Sequence, residues 1–216
     1  MAFAIDIHHA LDTLTREVES YRVPVVDLIA VQTKDPFKIL VATILSARTR
    51  DEVTAAATHR LFALADTPAG LAALSLTTIE QAIYPVGFFH TKAGHLQKLP
   101  QGLAPFGGQV PNTMDGLLTL PGVGRKTANL VLAMAFSIPA ICVDTHVHRI
   151  MNIWGYVQTS TPLATEQTLR QKLPRKYWLT VNSTLVSFGQ HVCLPRRPRC
   201  DDCILNNCCP KNGLQL

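Results

Sequence analysis

Two groups of residues in this chain are of types that do chemistry. One is a lysine and an aspartate: Lys126, in the run Gly122-Val123-Gly124-Arg125-Lys126, and Asp144, in Val143-Asp144-Thr145-His146. A neutral amine is a nucleophile and a carboxylate moves protons, so the pair could serve covalent catalysis. The first turn of a helix, beside Arg125, disfavours an ammonium, while a close carboxylate acts the other way. Taken singly, Lys126 also reads as a surface lysine for phosphate and Asp144 as a helix N-cap. The second group is five of the six cysteines, all after residue 190: Cys193, Cys200, Cys203, Cys208 and Cys209. Thiols so crowded ask for a metal or for disulfides. Cys193, Cys200, Cys203 and Cys209 fit the spacing C-x6-C-x2-C-x5-C. Structural zinc brings two close pairs of ligands, whereas one C-x2-C flanked by longer spacings suits an iron–sulfur cubane that takes thiolates from several directions. Zinc is the rival, Cys208 is the alternative fourth ligand, and Cys142 reads as a small buried hydrophobe.

The elements that must position these residues are helical. Apolar residues recur at helical spacing and strand alternation is nearly absent, so the fold class is all-α. Asp35-Pro36, Thr67-Pro68 and Thr161-Pro162 each put a capping side chain before a proline suited to a first helical turn. Residues 36–47 predict a central helix with Phe37, Leu40, Val41, Ile44 and Leu45 on one stripe. Further helices are predicted at about 6–21, 52–64, 76–84, 91–98, 113–120, 125–136, 145–154, 164–173 and 177–191. Between two of them lies Leu120-Pro121-Gly122-Val123-Gly124-Arg125-Lys126-Thr127-Ala128-Asn129. Gly122 and Gly124 permit a tight turn and close approach to the backbone, and Val123 can pin the turn to the core. The helix that follows points free N–H groups and its positive dipole end outward, a site for phosphate that reads no base sequence. An ordinary interhelical turn is the plainer alternative.

Across 216 residues, 20 Lys and Arg stand against 15 Asp and Glu, a net charge of +5 that hints at a polyanionic partner. Basic clusters lie at Arg170 to Lys176 and at Arg196 to Arg199, and either could be simply a solvated face. The longest apolar run, Leu130 to Val143, is broken by Ser137 and Pro139 and is too short for a bilayer, so it reads as a helix end plus a turn. The N-terminal residues show no secretory signal, which predicts a protein that stays where it is made and argues against stable disulfides.

The string LPGVGRKTAN resembles the helix-hairpin-helix signature of the endonuclease III family of DNA glycosylases, and the resemblance covers most of the chain. It implies two helical domains: a six-helix domain at 30–138 with the hairpin, and a [4Fe-4S] domain formed by 1–29 and 139–216. It implies a bifunctional glycosylase and abasic-site lyase of base excision repair that removes oxidised pyrimidines. Lys126 then attacks the sugar C1′, displaces the base and forms a Schiff base that permits β-elimination, with Asp144 as acid/base partner. The cysteine spacing is similar to the family's cluster loop, with Cys193, Cys200, Cys203 and Cys209 as ligands. The basic loop Leu194 to Arg199 is implied to touch the DNA backbone, with Arg197 among its arginines.

Extruding a base requires filling the gap it leaves. Leu45 to Asp51 matches the family stretch whose fourth residue enters the duplex, commonly glutamine and here Arg48, which leaves the opposite-base preference open. Gly87 to Ala93 matches the loop that supplies an apolar wedge, here Phe88, for which core packing is the alternative. His146 and Arg149 could face DNA or cap and solvate their helix. Ser137 stands where glycine is common, a departure expected to alter only the turn. Double-stranded DNA with a damaged base or abasic site is the implied partner of a monomer with no membrane role, cytoplasmic and nucleoid-associated if prokaryotic. Other readings are a monofunctional thymine or uracil mismatch glycosylase of the same fold and a non-catalytic helix-hairpin-helix DNA-binding module. Adenine-excising relatives generally lack the lysine.

Overall fold

The structure is a computed structural model, and it describes residues 5–21 and 24–214. These form α1 (Ile7–Glu17), α2 (Val25–Thr33), α3 (Pro36–Ser46), α4 (Asp51–Leu64), α5 (Pro68–Ala72), α6 (Leu76–Ile83), α7 (Phe89–Leu103), α8 (Met114–Leu118), α9 (Arg125–Phe136), α10 (Thr145–Ile153), α11 (Pro162–Lys172) and α12 (Val181–His191), with three short 3-10 turns. Among the described residues there is no strand, so the all-α expectation holds.

The capping signals act as expected. Asp35 Oδ1 accepts from the amides of Phe37 and Lys38 at 2.8 and 3.4 Å. Thr67 accepts from Gly70 and Thr161 from Ala164, each at 3.1 Å, with a proline next in sequence in all three cases. The differences have local causes. Helices α2 and α5 lie outside the predicted set. Helix α7 runs on through Pro100 to Leu103 because Leu96, Leu99 and Leu103 are fully buried on one face, which offsets the bond that proline forfeits. Helix α12 starts at Val181 because Arg175–Tyr177 takes a 3-10 turn after Pro174. Helix α9 ends on Ser137, at φ 53°, and Ile138 N donates to the Leu132 carbonyl at 3.0 Å. The serine occupies the left-handed cap position that glycine usually takes.

The chain divides into two compact units. Val25–Ile138 forms one, with six helices of eight residues or more and two of five. Its centre is α3, which packs against α2, α4, α7 and α9. Phe37 and every residue from Ile39 to Leu45 are buried, so α3 buries its whole circumference rather than the single stripe predicted. The other unit joins the segment ending at Pro24 to the one beginning at Pro139. Its core includes Leu11, Leu14, Ile150, Met151, Trp154, Leu185 and Phe188. The first and last described segments both meet the end of α10: Ile5 N donates to the Trp154 carbonyl at 3.1 Å and Asn212 N to the Ile153 carbonyl at 3.0 Å. Among the described residues no helix is long and apolar enough to cross a membrane.

Candidate functional site

The hairpin between α8 and α9 is built from its backbone outward. Leu120 and Val123 are buried, and Val123 N donates to the Leu120 carbonyl at 3.2 Å, which pins the turn to the unit's core. Gly122 has φ 78°, and a Cβ there would stand 2.8 Å from His95 Nδ1, so conformation and space both demand glycine. Gly124 differs. Its backbone is extended, a Cβ would meet nothing within 4 Å, and no side chain caps the helix it opens. The α9 N-terminus is thus reachable from outside, the arrangement that receives phosphate. Arg125 and Lys126 occupy its exposed first turn.

Asp144 is the N-cap of α10 and lies in the other unit. Its Oδ1 accepts from the amides of His146 and Val147, each at 2.9 Å, and Oδ2 takes part in neither bond. The capping role weighed for Asp144 is therefore real, and it fixes the carboxylate's direction with one oxygen to spare. A Cβ on Gly189 would overlap the His146 ring, so this glycine of α12 makes the space that ring occupies. Arg149 lies between the cap and the cysteines. It donates to the Cys193 carbonyl, and its Nη2 lies 3.4 Å from His146 Nδ1.

None of the six cysteines is in a disulfide. Cys193, Cys200, Cys203 and Cys209 line one cavity, walled on its apolar side by Trp154, Phe188 and Leu205; Cys208 is absent from that lining and lies near the Leu205 carbonyl at 3.5 Å. Burial pushes the Cys193 thiol up to about 11, Arg149 draws it back, and the neighbouring thiols of Cys209 and Cys203 add to the rise. Burial and nearby thiols likewise raise Cys203 and Cys209. Protons would leave such thiols readily only against a compensating positive centre. Among the described residues no group of three or more His, Cys, Asp or Glu side chains is arranged to hold a metal ion. A polynuclear cluster takes one thiolate per corner, and four thiols lining one cavity are a donor set of that kind. The loop between the first two thiols is held at its neck, where Leu194 N and Arg199 N both donate to the Val192 carbonyl, at 2.9 and 3.0 Å. Arg196, Arg197 and Arg199 are exposed on it.

In the first unit, Arg48 and Phe88 come together from separate segments. Both are left-handed, at φ 54° and 58°, a conformation that costs a non-glycine residue about 1–3 kcal/mol. The Arg48 guanidinium lies 5.6 Å from the centre of the Phe88 ring, a contact that contributes about 0.5–1 kcal/mol at an exposed site. Phe88 is 62% exposed, which rules out core packing. Beneath these turns is Lys92, which sequence reasoning did not single out. It is 7% exposed and donates to the Leu45 carbonyl at 2.8 Å, the Ala47 carbonyl at 2.6 Å and Thr49 Oγ1 at 3.2 Å. Burial pushes its ammonium down to about 8. The signal was present: Lys92 sits on the same stripe of α7 as Ala93, Leu96, Leu99 and Leu103, where a charge is out of place.

Residues 41–175 match the family model described as HhH-GPD superfamily base excision DNA repair protein. The chain is 44% identical over 176 residues to endonuclease III of Thermotoga maritima, a match that covers 81% of this chain and 83% of that protein. A solved structure of a trapped covalent intermediate of endonuclease III with DNA, an estranged-adenine complex, is similar at 35% identity and a TM-score of 0.84, covering 94% of this chain and 93% of that one. A thermostable thymine-DNA glycosylase, at 23% identity and a TM-score of 0.79 over 94% of each chain, shares the fold.

Proposed function

This chain belongs to the HhH-GPD superfamily of base excision DNA repair proteins and, within it, to the endonuclease III family, and on that footing we propose that it excises oxidised pyrimidines from duplex DNA and cleaves the strand at the resulting abasic site. The observation that carries the reading is Lys126 exposed in the first turn of α9, directly after a glycine turn that leaves the helix N-terminus without a side-chain cap. Backbone amides there hold a phosphate and bring the adjacent sugar to the lysine. The amine of Lys126 attacks C1′, the base leaves, and the Schiff base between lysine and sugar allows β-elimination of the 3′ phosphate. Asp144 accepts and returns the protons these steps need, through the oxygen its capping bonds leave over. Gly122, Gly124 and Arg125 anchor the backbone. Arg48 and Phe88 fill the space of the extruded base, and His146 contributes beside Asp144.

Cys193, Cys200, Cys203 and Cys209 hold a [4Fe-4S] cluster. When bound, the cluster supplies a covalent cross-link that stiffens the loop between Cys193 and Cys200, and its exposed arginines, Arg197 among them, meet phosphate.

Borohydride trapping on duplex DNA with one oxidised pyrimidine tests this, run beside Lys126→Ala. The expected result is a covalent adduct with wild type and none with the variant. Base release without an adduct would overturn the lysine assignment in favour of a monofunctional glycosylase with Asp144 activating water, and neither product would point to another lesion or to a binding module.

A further inference from the structure

We propose that Lys92 is a positioning residue: its ammonium locks the turn after α3 to the turn before α7, so that Arg48 and Phe88 stand as one preformed wedge before DNA arrives. The proposal rests on the reading of those two residues as DNA-contacting.

A helix end leaves carbonyls without partners, and the chain here turns sharply into a left-handed residue. Lys92 meets that end with all three donors of its ammonium, two on the carbonyls of Leu45 and Ala47 and one on the Thr49 hydroxyl. A cation suits the negative end of a helix dipole. The Thr49 hydroxyl then passes the constraint on, because it accepts from the amide of Gly87 at 3.2 Å. Gly87 is pressed against the same turn: a Cβ there would stand 2.6 Å from the Arg48 carbonyl oxygen. Arg48 therefore has Lys92-bound groups on both sides in sequence, and Phe88 follows the glycine that the Thr49 hydroxyl holds. A buried ammonium costs far more than an apolar side chain of the same shape, and the partners of this one are carbonyls and a hydroxyl rather than a carboxylate. Packing alone would be served by methionine. What the ammonium adds is direction, imposed on two residues whose backbones are strained and whose side chains face solvent.

The test compares wild type, Lys92→Met, Phe88→Ala and the double variant. It uses base release from a duplex with one thymine glycol, strand cleavage at a preformed abasic site, and hydrogen exchange of single amides. Lys92→Met should speed exchange at Thr49 and Gly87 and leave the amides of α9 protected. Base release should fall roughly 10- to 100-fold, while cleavage at the abasic site, where no base is left to extrude, changes by less than about threefold. The double variant should lose less base release than the product of the two single losses. Losses that multiply, an equal loss at the abasic site, or unchanged exchange at Thr49 and Gly87 would each overturn the proposal. If Lys92→Met does not fold, Thr49→Val takes its place, with faster exchange expected at Gly87 and a smaller loss of base release, and unchanged values overturning the brace. If wild type neither releases thymine glycol nor forms an adduct, the functional reading is what fails, and exchange at Thr49 and Gly87 still decides the brace.

Discussion

The glycine hairpin and the Arg48–Phe88 turns lie in the same helical unit and solve opposite problems. The hairpin must bare its backbone, so it is made of residues without side chains, and Gly122 reaches φ 78° at little conformational cost. The other two turns must aim side chains, so glycine is useless at their tips. Arg48 and Phe88 accept the left-handed conformation, and a buried ammonium, a hydroxyl and the bare flank of Gly87 hold the two turns together. On the proposed reading, backbone recognition is built from local sequence, and side-chain presentation from a distant residue.

The sharpest way to break this comparison is to titrate the brace. Lys92 sits at about 8 in the folded protein, below the ordinary 10.5. Between those values the unfolded chain holds a proton that the folded chain has released, so stability rises with pH. The contribution is whole above about 10.5 and is lost as pH falls to about 8. Relative to Lys92→Met, wild type should gain on the order of 3 kcal/mol across that interval in urea unfolding. A flat difference would mean that the ammonium's three bonds fully offset its burial.

The hairpin supplies the next test. Gly122→Ala forces a Cβ into a left-handed position against His95 and should cost about 2 kcal/mol in thermal unfolding. Gly124→Ala meets open space and should stay within about 0.5 kcal/mol, yet weaken binding to an abasic duplex because the added carbon stands where phosphate approaches. Unchanged binding would remove these amides from the DNA interface. Smallest is Arg197→Ala. Arg197 is left-handed too, at φ 53°, but exposed, on a loop held through the Val192 carbonyl. Its loss should leave stability alone and lower the slope of log affinity against log salt by about 0.9; an unchanged slope would take it off the phosphate backbone.

How much was legible depended on the range of the interaction concerned. Asp35, Thr67 and Thr161 cap helices that their own next residues define, and the glycines of LPGVGRKTAN act within a single turn, so both could be read from neighbours in the chain. The grouping of four thiols was equally open to reading, because three lie within ten residues and the spacing already favoured Cys209 over its neighbour Cys208; the direction the folded backbone gives these adjacent side chains puts Cys209 in the cavity lining. Helix α7 outlasts Pro100 because of leucines buried against other helices, a fact no capping rule contains. Lys92 acts on residues more than forty positions away.

The sequence by itself determined the helical class, where many of the helices begin, the glycine turn and the stock of amine, carboxylate and thiols, since each of these follows from propensities and spacings acting over a few residues. Only the tertiary structure decided which way those groups face and what holds them there. Burial, the left-handed turns of Arg48 and Phe88 and the three bonds of Lys92 exist only once distant helices pack, and a local pattern carries no record of which helix will lie across from it.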